Sequence, residues 1–213
     1  MGLKMNFMDP LCVVLILITL IFQTAECFSP GGSVYTRWGR TDCSETASLI
    51  YSGYVGGSHY LHPGAAVEPL CLPKDPEWGR YYDYGEHQRG FVYGAEYEHT
   101  GVFRLHHLQD LDVPCAVCET LGQKSVFVIP ARKTCYSGWK KEYSGYLMSG
   151  NFAHRAASTY SCFDEQSQSL DGGSENKDGY LFYPVESRCH RGSLRCPPYK
   201  EGRELTCVVC SKD

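Results

Sequence analysis

Apolar positions along this chain fall into two kinds of run. The first is unbroken: Leu11 to Phe22 is apolar at every position except Thr19. Lys4 lies ahead of it, and Ala25 and Cys27 occupy the −3 and −1 positions before Phe28. A basic start, an apolar core of roughly 7–15 residues and small residues at the exit describe a secretory signal peptide. A membrane span needs roughly 20 apolar residues, and this run is shorter. Residues 1–27 are therefore expected to be removed, and no second run of that length predicts a membrane span in what remains. The second kind is short, β-branched and aromatic, and bounded by turn residues. Val126-Phe127-Val128-Ile129, Gly90-Phe91-Val92-Tyr93, Leu181-Phe182-Tyr183 and Leu205-Thr206-Cys207-Val208-Val209 read as strands. Tyr51-Ser52-Gly53-Tyr54 and Tyr143-Ser144-Gly145-Tyr146 read as strands holding a glycine, which marks a bulge or a close backbone approach. Residues 171–179 are a turn-rich loop, and no segment sustains a helical period. The pattern predicts an all-β fold.

The strand pattern occurs twice. Val34-Tyr35-Thr36-Arg37 precedes Val126-Phe127-Val128-Ile129 by 92 residues, and Arg40-Thr41-Asp42-Cys43 precedes Arg132-Lys133-Thr134-Cys135 by the same interval. The two Tyr-Ser-Gly-Tyr segments are also 92 apart, as are Cys115-Ala116-Val117-Cys118 and Cys207-Val208-Val209-Cys210. Ala65-Ala66 and Cys71 recur 91 residues on as Ala156-Ala157 and Cys162. Matches in order at a nearly constant offset predict two tandem β-rich subdomains, 34–118 and 126–210, related by internal duplication and joined through Gly122. Two copies are too few for a solenoid.

Cysteine usage sets the compartment. Of twelve cysteines, Cys12 and Cys27 belong to the leader, which leaves ten: Cys43, Cys71, Cys115, Cys118, Cys135, Cys162, Cys189, Cys196, Cys207 and Cys210. An even number behind a signal peptide predicts disulfides and a secreted, extracellular protein. The two Cys-x-x-Cys pairs have structural-zinc spacing, but the compartment favours disulfides, so no metal and no cofactor are assigned. The formal charge of −4 carries no basic block for nucleic acid and no acidic tail.

The second unit begins Cys135-x-x-Gly138-Trp139-x-x-x-Tyr143-x-Gly145, continues Ala156-Ala157-Ser158-x-x-Ser161-Cys162-x-Asp164 and closes Cys207-x-Val209-Cys210. This framework resembles the C-terminal non-collagenous domain of type IV collagens, two tandem β-rich halves each ending in Cys-x-x-Cys. Tyr35-Thr36-Arg37-Trp38-Gly39-Arg40-Thr41-x-Cys43 is similar to the short-chain, spongin-like collagens of simple animals. The resemblance covers about residues 31–211. It departs in two ways: the first unit has four cysteines where the second has six, and no Gly-X-Y repeat is present. A triple helix needs glycine at every third position, so the chain is not itself a collagen. The resemblance implies pairing of Cys43 with Cys118, Cys71 with Cys115, Cys135 with Cys210, Cys162 with Cys207, and Cys189 with Cys196. It also agrees with strand geometry, since residues i and i+3 of a strand lie roughly 10 Å apart and a disulfide needs Cα atoms within about 7 Å.

Candidate chemistry is sparse. His59, His62, His106, His107 and His154 come with no triad order or zinc-protease signature, and the loop histidines are expected to be solvated. Asp171, Glu175, Asn176 and Asp178 offer oxygens to calcium but match no EF-hand spacing, so a polar turn is expected. Glu96 and Glu98 fall on one strand face, where solvation is expected. Trp78, Tyr81, Tyr82 and Tyr84 form the candidate binding surface, because such side chains supply large area and a polar handle. The function expected is a non-catalytic extracellular structural or interaction module. It would be matrix-associated by resemblance, with matrix proteins or itself as partner. The alternative is a carbohydrate-binding or defence module with a glycan ligand.

Overall fold

The computed structural model describes residues 31–64, 66–78, 80, 90–98, 106–122, 125–190 and 193–212. The expected signal segment and Tyr81, Tyr82 and Tyr84 lie outside them. Ten strands follow one another: β1 Val34–Trp38, β2 Ala47–Gly57, β3 Leu70–Pro73, β4 Tyr93–Tyr97, β5 Pro114–Thr120, β6 Ser125–Pro130, β7 Lys140–Ser149, β8 Ser161–Asp164, β9 Tyr180–Pro184 and β10 Thr206–Lys212. Among the described residues a 3-10 turn at His106–Leu108 lies between β4 and β5. The protein is all-β, and no helix among the described residues is long and apolar enough to cross a membrane. The expected strand at Gly90–Tyr93 begins only at its last residue. Phe91 and Val92 are exposed, and ladder bonds start at Tyr93 and Gly94, which pair with Gly57 and Gly56.

The ladders of the two halves agree residue for residue. Val34 pairs with Glu119 and Trp38 with Cys115 on β1 and β5; Val126 pairs with Ser211 and Pro130 with Cys207 on β6 and β10. The same shift relates Gly53–Cys115 to Gly145–Cys207, and Val55–Cys71 corresponds to Leu147–Cys162 with the cysteines 91 residues apart. Gly53 and Gly145 serve one purpose: a Cβ at either would strike a carbonyl oxygen of the next strand, Leu72 or Phe163. The glycines therefore let β3 and β8 close onto β2 and β7.

The halves nonetheless share one construction. Hydrogen-bonded pairs run β7–β8–β1–β5–β2–β4–β9 and back from β9 to β7, a closed circuit built from both halves. Two of its links join the halves, the parallel pairs β1–β8 and β4–β9. Inside lie Val55, Ala95, Tyr97, Leu108, Val113 and Cys115 from the first half, against Met148, Phe163, Tyr180 and Phe182 from the second. β6 and β10 extend the sheet beyond β7, and β3 flanks β2. Residues 31–213 accordingly form a single compact unit.

Five disulfides are present, Cys43–Cys118, Cys71–Cys115, Cys135–Cys210, Cys162–Cys207 and Cys189–Cys196, with Cα separations of 5.7–5.9 Å. They are the pairs the collagen-domain resemblance implies. Cys43–Cys118 and Cys135–Cys210 join the two ends of each half, Cys71–Cys115 and Cys162–Cys207 tie its middle to its last strand, and the fifth closes a seven-residue interval in the loop before β10.

Candidate functional site

Strand alternation places Glu96 and Glu98 on one side of the chain as β4 ends. Parallel pairing of β4 with β9 sets Glu96 beside Leu181, and the Glu98 N–H donates to the Phe182 carbonyl at 2.8 Å. The loop 170–179 that leads into β9 is fastened beneath them. Leu170 N–H donates to Asp112 O, Asp112 N–H to Gly173 O, and Lys177 N–H to Glu96 Oε1 at 2.8 Å. Gly179 lies so close to the Gly94 carbonyl that no side chain fits there. These ties bring Asp178 to Glu96 and Glu98, with one carboxylate oxygen of each within 4.8 Å of the others.

This corrects two expectations. Glu96 is not solvated: it is 4 % exposed, and its Oε2 has no hydrogen-bond partner. Of Asp171, Glu175, Asn176 and Asp178, only Asp178 enters a carboxylate cluster among the described residues; Glu175 instead pairs with the Lys177 ammonium. Burial is the main cause that raises the Glu96 carboxyl above the usual range, offset in part by backbone N–H donors and reinforced by Asp112 and Asp178. Burial also raises Glu98, against a hydrogen bond from Gln109, with Asp110, Asp178 and Glu96 adding to it.

An aromatic and histidine cluster adjoins the acids. His154 lies between Tyr60 and Tyr183, with ring centroids at 4.6 and 5.4 Å. His59 and His62 pack on each other with tilted rings and meet Tyr93 edge-on, at 5.2 and 5.5 Å. The loop histidines are thus half-buried packing elements rather than solvated side chains, because the segment after β2 folds back over the start of β4. Burial lowers the His154 pKa, against the pull of Asp178. Its Nδ1 is buried without a partner. His106 and His107 stand apart on the exposed 3-10 turn.

His154 and Tyr183 open onto a groove of about 990 Å³, walled by the 149–160 loop, Glu186, Arg188 and Glu204. Phe152 and Tyr160 on its rim are 99 % and 69 % exposed. Trp78, from the expected binding surface, is 78 % exposed and belongs to a different loop. The sequence reading missed this groove because its wall comes from three separate segments whose meeting depends on β7, β9 and β10 pairing. The doublet Phe152 and Tyr160, flanking small residues without strand pattern, was the only signal available.

A polar seam joins the halves elsewhere. Arg37 on β1 donates through Nε and Nη2 to Asp164 on β8 at 2.9 and 2.6 Å, with both side chains buried. Glu142 accepts hydroxyl donors from Tyr35, Ser44 and Thr46 of the first half and from Ser211. Each half has a β-bulge at the equivalent place: Ile50 is skipped between Leu49 and Tyr51, and Glu142 between Lys141 and Tyr143. The bulge turns Glu142 into the seam, whereas Ile50 stays 51 % exposed. No known protein-family profile matches the chain.

Proposed function

We propose that this protein is a secreted, non-catalytic structural or interaction module of the extracellular matrix, and that it associates with copies of itself. Five disulfides in one compact unit fit an oxidising compartment. The collagen-domain resemblance supports the matrix setting, and the shared register of the two halves supports their origin from one ancestral unit.

The carrying observation is an unmatched pair of surfaces. Within the chain, β8 and Glu142 of the second half dock on β1, Ser44 and Thr46 of the first. By register, the equivalent contact would set β3 and Ile50 against β6 and Tyr136. Among the described residues β3 pairs only with β2, and β6 only with β10. Where the internal seam is polar, these edges carry apolar groups: Leu49, Ile50 and Leu70 on one side, Phe127, Val128 and Tyr136 on the other, each 38–56 % exposed. Open strand edges with apolar neighbours invite pairing with another chain. The two edges differ, so the contact is head-to-tail and builds a ring or a filament. Light scattering on secreted protein should give a mass of several chains, and Ile50→Glu or Phe127→Glu should reduce it to one. A monomer at tens of micromolar, or assemblies indifferent to both changes, would refute self-association.

The exposed Phe152 and Tyr160 beside the groove favour a second reading, a carbohydrate-binding module. A glycan array separates the two: selective binding lost on Phe152→Ala/Tyr160→Ala supports the second reading.

A further inference from the structure

We infer that Glu96, Glu98 and Asp178 form a calcium site that locks the loop 170–179 onto the end of β4. Clustered acids alone would not carry this. The independent observation is Glu96 Oε2, in a side chain only 4 % exposed, buried without a hydrogen-bond donor. Its sister oxygen already accepts the Lys177 N–H, which fixes the carboxylate at the cluster. A buried carboxylate oxygen without a donor is costly unless a cation completes it. No side-chain cation among the described residues pairs with it: the Lys177 ammonium points to Glu175 and is largely exposed.

The donor set and its span suit calcium. Calcium holds carboxylate oxygens at roughly 2.3–2.6 Å, so ligands on its sphere lie no more than about 5 Å apart. The three oxygens here lie within 4.8 Å of one another. Magnesium demands a near-ideal octahedron at roughly 2.0–2.1 Å and resists dehydration, so it is held less readily than calcium by a cluster of protein carboxylates. A purely oxygen donor set suits a hard cation rather than zinc or copper. Asp110 and Asp112 lie close enough to act electrostatically on Glu98 and Glu96, and they deepen the negative field. Glu98 Oε2 accepts from Gln109 Nε2 at 2.7 Å, which orients that carboxylate. The remaining positions go to second carboxylate oxygens and water, since calcium takes 6–8 ligands. One exposed ligand, Asp178, leaves an entry path.

The inference stands apart from self-association and from the groove. Calcium chloride titrated into the purified, disulfide-intact protein should bind one ion per chain by calorimetry, with Kd of roughly 10⁻⁴–10⁻³ M, the range of extracellular modules. At ten times Kd the thermal midpoint should rise by roughly 3–6 °C. Magnesium chloride at matched ionic strength should not reproduce the rise. Asp178→Asn, at an exposed position, should remove the calcium response and leave the fold intact. Glu96→Gln should remove it too while raising the calcium-free midpoint, because it relieves a buried, repelled charge. No calcium binding at 10-fold above that Kd range, an equal response to magnesium, or a response unchanged in Asp178→Asn would overturn the assignment.

Discussion

Glu142 is the residue on which the polar seam turns. Burial alone would raise its pKa, but hydroxyl donors from Ser211, Ser44, Thr46 and Tyr35 outweigh that effect and hold the carboxyl below its usual range. A depressed carboxyl contributes stability above its unfolded pKa of about 4.3 and loses it as the pH falls through the folded value. Glu142→Gln should therefore cost about 2–4 kcal/mol at pH 7 in urea unfolding with disulfides intact, by weakening several charge-assisted bonds at once. The gap between variant and parent should close below about pH 4. A gap independent of pH would mean that the carboxylate charge is irrelevant to the seam. Glu96 and Glu98 run the other way: their raised values oppose folding as the pH climbs through them, which is the repulsion a cation would relieve. The charge sign at these positions is plain in the sequence. Their burial is not, because it depends on a loop some eighty residues away that lies over β4.

At the scale of elements, the bridges differ by the chain they close. Cys135–Cys210 spans 75 residues and Cys189–Cys196 spans 7. In the chain-entropy model a loop of the first size contributes about 4 kcal/mol and one of the second about 2 kcal/mol. The long bridge also ties the Arg132–Cys135 turn to the centre of β10, whereas the short one lies in the exposed loop before it. Cys135→Ser should thus lower the yield of folded protein and the thermal midpoint more than the double change Cys189→Ser/Cys196→Ser. Equal or reversed losses would contradict that order. The strand pattern of β6, β9 and β10 was legible locally, since each is a dense β-branched and aromatic run. β4 was not: its start is decided by which residues meet Gly56 and Gly57 on β2, and the apolar Phe91 and Val92 remain outside the ladder.

For the whole molecule, the closed circuit of strands forbids independent halves. Residues 125–212 alone would uncover Met148, Phe163, Tyr180 and Phe182, which pack on the first half. Fully burying each such side chain contributes roughly 1.5–3 kcal/mol, so the combined loss rivals the typical 5–15 kcal/mol stability of a native protein. Asp164 would also lose Arg37. The fragment, expressed with its cysteines oxidised, should lack the dispersed amide spectrum of a folded protein, while the full mature chain unfolds in one transition. A folded fragment would show that each half holds its own core.

By itself the sequence determined what local patterning encodes: an all-β chain, and glycines where strands approach closely. These follow from side-chain period, turn chemistry and spacing, which act over a few residues. Only the tertiary structure decided that the units share one closed circuit, that equivalent bulges present an exposed Ile50 and a buried Glu142, and that Asp178 leaves its own loop's acids to join Glu96 and Glu98. Those outcomes depend on contacts between residues far apart in the chain. They also depend on the different surroundings of the two halves, which no local pattern records.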